Sequence, residues 1–552
     1  MPIHMNFELA MLTMKYEQPK QTINMKKNLK NYLLGAMIFL TCGAYAQDKS
    51  DWQNGVPEGC TTITVGKLAS ADGSVITSHT DDSHRTRAWM DIVPAQKHEK
   101  GSKFNLYERS AFDSLAMPIY QHKKIGEIDQ VEKTFQYLNT AYPCMNEKQL
   151  AMGESTFGGR EELYSDACLI DCQRLEKLML ERCTTARQAI KLADELLSKY
   201  GWRDFGECLT IADKKEVWHF EVVGPGKGKI GAVWVAQRVP DGHVSINANA
   251  STIKEIDLKD TDHFMASKNI FSVAKENGWW KEGETFRWNY AYAPKSRLSL
   301  AARRREWRVL SLMAPSLHLD ANDKDYPFSV KPDEKVTMEK LVRIFRDYYE
   351  GTDFNFVKNI KQADKSGKET LSPFANPFMP YDMNRLFHVN GGWGELGERT
   401  IARWYTMYAT IIQCRNWLPD EVGGIVWLAQ DNVATSLYIP VYAGSTDLAP
   451  SYKIQARRTG YTRKSAWWAF NRLGTLTAQR WGDMRYDVEK VFVPLQNKYF
   501  AEQANIDKEF LGLSKKKRST FLTNRTIQLG NQAVEKAWEI GDGIWTKYDE
   551  KF

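Results

Sequence analysis

Apolar and polar positions change period several times along the chain, and each change marks an element. Thr61–Val65 is a β-branched run, Ala71-Asp72-Gly73-Ser74 carries turn residues, and Val75–Ser78 is a second β-branched run. A hairpin is predicted there, with its first strand opening at Cys60. A helical block is predicted from about Leu163 to Tyr200. Its clearest member opens on the capping pair Thr185 and Gln188, repeats apolar residues at Ala189, Ala193, Leu196 and Tyr200, and stops at Gly201. From Glu207 to Val239 the pattern returns to strands, with Trp218, Phe220 and Val222 alternating before GPGKGKIG and AVWVAQRV. The G-x-G-x-x-G from Gly226 to Gly231 runs into a strand, so it offers no helix N-terminus to a pyrophosphate and reads as a hairpin turn. Val336–Tyr349 is predicted helical. Thr400–Gln413, Gly424–Ala429 and Ser436–Val441 are predicted strands, the last two apolar enough for a buried centre. Residues from about Ser465 to Phe552 are mostly helical in pattern and rich in Trp, Lys and Arg.

The amino terminus follows a different rule. From Met25 a basic stretch (Lys26, Lys27, Lys30) leads into an apolar run near Leu33–Leu40 and the small-x-small site Ala44-Tyr45-Ala46. This is the pattern of a signal peptide over residues 25–46, and it predicts an exported protein, periplasmic or extracellular. Residues 1–24 match no targeting pattern and read as a start-site extension. Phe39-Leu40-Thr41 before Cys42 fits a lipobox poorly. No later stretch reaches the roughly 18 uninterrupted apolar residues of a spanning helix, so stable membrane insertion is not expected.

Composition narrows the classes further. The 552 residues are 43% apolar and 26% charged, which excludes disorder and fibrous repeats. A formal charge of +7 is small for this length and gives no reason to invoke nucleic acid. The basic run Lys515–Arg518 reads as a solvated helix end. Eight cysteines are too few for a disulfide scaffold, though export would allow some of them to pair. Cys168 and Cys172 are spaced one helical turn apart, and buried free thiols are the competing reading. H-E-x-x-H, G-x-S-x-G and a phosphate-binding loop are all missing from the sequence. His79 and His84 sit close together, but on a segment leaving a strand, which is a poor metal frame.

Cys60 changes the picture if the chain is cut just before it. Its α-amine, with a pKa of about 8, would then lie beside its own thiol, with a free pKa of about 8.5. One residue would supply both nucleophile and general base, with no distant His required. Gly59 leaves the attacked carbonyl uncrowded, and GVPEG reads as an exposed, bendable loop. Residues 47–59 then form a propeptide.

Here the sequence resembles the dipeptidase A family of N-terminal-nucleophile cysteine peptidases, related to penicillin V acylase and bile salt hydrolase. The resemblance rests on the Cys-Thr-Thr start with its G-K-x-A-S-x-D-G-S hairpin, on Met145-Asn146-Glu147 leading to Gly153-Glu154-Ser155-Thr156, and on Leu180-Glu181-Arg182 running into Thr185-Ala186-Arg187. Arg305-Glu306-Trp307-Arg308, Glu398-Arg399-Thr400 and Tyr438–Gly444 continue it, with a weaker echo at Ser465-Ala466-Trp467-Trp468.

The resemblance implies an α+β fold, a four-layer αββα sandwich over residues 60–450, with a mostly helical C-terminal region over 451–552. It implies Cys60 as nucleophile and Asp82 as the superfamily Asp, with His79 where an Arg is usual. Thr156 takes the place of an oxyanion Asn, Asn249 is preferred to Asn247 as a polar contact at the nucleophile, and Arg305 resembles a late superfamily Arg. The implied substrates are dipeptides or short peptides, hydrolysed through an acyl-enzyme without metal or organic cofactor. N-acyl amides or bile-acid conjugates are the competing substrates, and an inactive exported binding protein is the competing class. Homo-oligomerisation stays open.

Overall fold

The computed structural model describes residues 59–83, 86–110, 119–378, 398–455 and 460–551. The predicted start-site extension, signal peptide, Cys42, propeptide up to residue 58, and His84 lie outside the described residues.

The principal strands are β1 (Gly59–Val65), β2 (Val75–Asp82), β3 (Ala151–Gly158), β4 (Gly206–Ala212), β5 (Val217–Val223), β6 (Val233–Arg238), β7 (Val244–Asn247), β8 (Thr406–Cys414), β9 (Gly424–Gln430) and β10 (Ile439–Tyr442). Among the described residues they build two large antiparallel sheets. The first has seven strands in the order Ser329–Val330, β7, β1, β2, β8, β9, β10. The second has eight, running Phe264–Ala266, β6, β5, β4, β3, Met145–Asn146, Tyr137–Asn139, Asp91–Val93.

β1 and β2 face the second sheet. Thr77 and Thr210 share a hydroxyl contact of 2.7 Å, and Thr64 Oγ1 stands 3.0 Å from His219 Nε2. Gly153 in β3 passes so close to β2 that a Cβ there would collide with the Ser78 carbonyl. Bare backbone is what permits this approach. The threonines and serines of β1 and β2 are buried, yet their hydroxyls are paired. Ser78 Oγ, for example, donates to the Ile63 carbonyl at 2.7 Å and accepts from its N–H at 2.7 Å. Pairing of this kind removes the cost of burying a polar group.

The helices are α1 (Cys172–Arg182), α2 (Ala186–Tyr200), α3 (Leu300–Met313), α4 (Met338–Phe345), α5 (Ala466–Gln479), α6 (Trp481–Leu511) and α7 (Lys515–Tyr548). α1 and α2 share an apolar core with the second sheet. The three C-terminal helices share theirs with the first sheet. Gln496 of α6 accepts from the Tyr438 N–H at 2.8 Å and donates to its carbonyl at 3.0 Å, covering backbone groups beside the last strand. Lys515–Arg518 opens α7 at the surface.

Several predicted boundaries shift for local reasons. The helical block starts at Cys172 rather than Leu163, because the Leu169 and Ile170 N–H groups bond back to Tyr200 and Gly201 at the end of α2. Cys168 therefore precedes the helix, and its thiol lies 3.3 Å from the Lys229 carbonyl. Thr185 caps α2 by accepting from the Gln188 N–H, while the Gln188 side chain reaches Thr184. The helix predicted from Val336 ends by Phe345, and Tyr349 turns to φ 67°. The predicted Thr400–Gln413 strand begins only at Thr406, because the Ala402 N–H is drawn to the Asp347 carbonyl. Gly226–Gly231 is a β5–β6 connection, as expected. The described cysteines are all buried and free, so none pairs in a disulfide.

Candidate active site

Three polar atoms of Cys60 meet three different partners, Glu154 and Arg305 buried and Asn249 partly so. It lies near the start of β1, paired with Asp81 of β2, while Gly59 pairs with Asp82. Alternation along the strand aims the Cys60 side chain toward the second sheet, on the same face as Thr64, and the next residue, Thr61, toward α3. Cys60 Sγ stands 3.1 Å from Glu154 Oε2, its N–H donates to Asn249 Oδ1 at 3.0 Å, and its carbonyl accepts from Arg305 Nη1 at 2.6 Å.

The α3 side is cationic and fully tied. Ser299 caps α3 by accepting from the Ala302 N–H, and the helix presents Arg305 to the end of β1. Arg305 also donates to Thr61 Oγ1, to the Ala248 carbonyl and to Asn249 Oδ1, each at 2.9 Å. Burial and the neighbouring Arg399 push its pKa down to about 9, so it stays charged at neutral pH. Arg399 makes a buried ion pair with Asp82. Burial opposes its charge, but Asp82 outweighs that and leaves the guanidinium more firmly charged than usual. Asp82 is held in turn by Thr406 Oγ1 at 2.6 Å and Thr80 Oγ1 at 3.2 Å. Asn249 sits at φ 60°, a left-handed conformation that Asn tolerates. Its N–H donates to Ser155 Oγ and its Nδ2 to the Thr156 carbonyl.

The second-sheet side is acidic. Glu154, on β3, is buried; burial disfavours its charge, but nearby His79, Glu207 and Cys60 outweigh this and hold its pKa below the usual range. Glu207 on β4 is pushed well up by burial and by the Glu154 charge, so it keeps its proton. Thr156 Oγ1 lies between them, 3.0 Å from Glu154 and 2.7 Å from Glu207. A protonated Glu207 thus donates to Thr156, which donates to ionised Glu154. His79 brings Nε2 to 3.3 Å from Glu154 Oε2 and packs edge-on against Tyr142 and Tyr408. Burial first, then the carboxylates of Glu154, Asp81 and Asp82, raises the Cys60 thiol well above its ordinary value. The uncut chain therefore holds this cysteine as a neutral thiol facing a carboxylate.

Of the residues predicted from sequence, Asn249 and Arg305 touch Cys60 directly. His79 lies within the same cluster, Asp82 stands one strand away and anchors Arg399, and the Thr156 hydroxyl faces the two glutamates. Asn247, the disfavoured choice, turns its side chain to the Ala250 carbonyl. Glu154 and Arg399 were missed. Both lie inside blocks the sequence reading quotes. Gly153 was the signal for Glu154, since a glycine inside a strand marks close backbone approach. Among the described residues, Cys60, His79 and Glu154 also bring one S, one N and one O atom within 4.8 Å of one another.

The site thus sets a buried thiol against an ionised carboxylate, with guanidinium groups holding the neighbouring backbone. Residues 59–493 match the model of Peptidase family C69, and the chain belongs to that family. It is similar to a "Probable dipeptidase" of Latilactobacillus sakei, 24% identical over 448 residues, 77% of this chain and 82% of the relative. A "Probable dipeptidase" of Salmonella dublin is 24% identical over 430 residues, 74% of this chain and 88% of the relative. "Dipeptidase A" of Lactobacillus helveticus is 22% identical over 530 residues, 89% and 98% of the two chains. The family match begins one residue before Cys60.

Proposed function

We propose that this chain is an exported cysteine dipeptidase with a four-layer αββα core, whose mature form begins at Cys60. The observation that carries the reading is the set of partners on Cys60: Glu154 at the thiol, Asn249 at the nitrogen and Arg305 at the carbonyl.

In the uncut chain the Cys60 nitrogen is an amide and cannot act as a base. Glu154 is the acceptor within reach of the thiol. For maturation, Glu154 takes the thiol proton while Sγ attacks the Gly59 carbonyl. The Cys60 nitrogen leaves with a proton as an amine, and water hydrolyses the resulting thioester.

The freed amine stays on Asn249 Oδ1 and becomes the base for the peptidase cycle. It accepts the thiol proton, Sγ attacks the scissile carbonyl, and the ammonium returns the proton to the leaving nitrogen. Water then attacks the acyl-enzyme, gives its proton to the amine, and the thiol is restored. Gly59 abuts Arg399 and Asn249, and a Cβ there would collide with both. Its departure opens the space that the acyl part of a substrate would fill, beside a fixed cation. The cycle draws on no metal or organic cofactor.

Hydrolysis of a dipeptide panel, set against glycine- and taurine-conjugated bile acids and simple N-acyl amides, tests this reading. Dipeptides should be cleaved and a Cys60→Ala variant should be inert. Cleavage of the conjugates alone would move the function to the acylase class, and no turnover of any amide would leave only a binding role.

A further inference from the structure

Cys60, His79 and Glu154 form more than a nucleophile's surroundings. The Sγ–Oε2 and Nε2–Oε2 separations are 3.1 and 3.3 Å, and the three ligand atoms lie within 4.8 Å of one another. Tetrahedral zinc, with bonds of about 2.0–2.1 Å to N or O and 2.3 Å to S, has ligand edges of about 3.3–3.6 Å. Small side-chain shifts bring the three atoms to those edges. His79 supplies an independent sign. Its ring is 1% exposed, and among the described residues its Nε2 meets the Glu154 carboxylate at 3.3 Å without completing a well-formed hydrogen bond. A buried ring nitrogen gathered with a carboxylate oxygen and a thiol sulfur presents three ligand atoms to one point, as the residues of a metal site do.

We propose that these three residues form an inhibitory site for a thiophilic divalent cation, Zn²⁺ in the first place. Binding forms the metal–sulfur bond and releases the thiol proton, so the cation and the substrate carbonyl compete for the same sulfur. A soft thiolate and a borderline imidazole beside one carboxylate suit zinc over magnesium or calcium. One part rests on the function proposed above: after maturation the free Cys60 amine supplies a fourth ligand, closing a five-membered chelate ring with its own sulfur. The processed protein then binds zinc more tightly than the uncut protein does. In the processed protein the opening left by Gly59 is the entry path.

The test uses full-length and processed protein with Co²⁺ as optical probe and Zn²⁺ as competitor. Co²⁺ should give a thiolate charge-transfer band that Zn²⁺ abolishes, absent from Cys60→Ser. His79→Gln and Glu154→Gln should each weaken zinc binding at least about tenfold, with near-native circular dichroism confirming that they fold. Zinc affinity unchanged in Cys60→Ser, or in both of the other variants, would overturn the site. Loss of the band in Cys60→Ser, with no dipeptide hydrolysis by the processed parent protein, would keep the metal site and reject the function. Equal affinity before and after processing would remove the amine as a ligand.

Discussion

The two sides of Cys60 are built on opposite principles. Toward α3, the guanidinium groups of Arg305 and Arg399, the Asp82 carboxylate and the Asn249 amide bond one another or nearby backbone, and Arg305 alone donates to five acceptors. Toward the second sheet, Glu154, Glu207 and Glu176 are buried, and among the described residues neither Glu176 carboxyl oxygen has a hydrogen-bond partner. A satisfied polar network holds one geometry; a crowded acidic one holds protons. The cationic side is suited to fix the nitrogen and carbonyl of residue 60. The acidic side is suited to accept and relay the thiol proton.

Removing the atom between the two sides has the largest effect. Cys60→Ala should lower kcat against dipeptides by at least about a thousandfold, as loss of a nucleophile does elsewhere, with folding intact. Steady-state kinetics and circular dichroism on one sample check both parts.

On the cationic side, Asp82→Ala leaves Arg399 buried without its counter-ion. The expected cost is about 3–5 kcal/mol of folding stability, read by urea unfolding. A change under about 1 kcal/mol would mean that Arg399 finds other anions. Asn249→Gly keeps the left-handed backbone while deleting the amide, so it removes the contact to the Cys60 nitrogen together with those to Arg305 and the Thr156 carbonyl. A loss in kcat of about a hundredfold is expected, with KM little changed.

The acidic side gives the smallest and most pH-dependent effect. Burial first, then repulsion from Glu154 and Asp171, raises the Glu176 pKa well above the ordinary 4.5. A carboxyl whose folded pKa is raised binds its proton more tightly in the folded state. Its contribution is therefore fully present below the unfolded value and is lost as pH rises through the folded value. Stability should decline from about pH 5 upward, and Glu176→Gln should recover about 1–3 kcal/mol at neutral and alkaline pH while changing little in acid. Thermal unfolding across pH, parent against variant, makes the comparison. A parallel pair of curves would show that Glu176 does not titrate with folding.

These two sides were unequally legible in the sequence. The hairpin of β1 and β2, the capped α2 helix and the C-terminal helices follow from local period and turn chemistry, and the structure keeps all of them. Arg305 and Asn249 came from family blocks. Arg399 lies in such a block too, but its role depends on a pairing with Asp82 317 residues away, which no local pattern encodes. Glu154 and Thr156 share one face of β3, and the family resemblance points to Thr156 alone. Gly153 decides between them in three dimensions, by letting β3 approach β2 just where Glu154 meets the thiol. Sheet-to-sheet proximity of this kind appears only once the two sheets are placed.

The proposed maturation is tested most directly by the amino terminus of the protein as its native organism makes it. Intact mass and N-terminal sequencing should show an active chain that begins at Cys60, with a free amine beside the thiol. An active chain that keeps Gly59, or one that begins at Gln47, would contradict it.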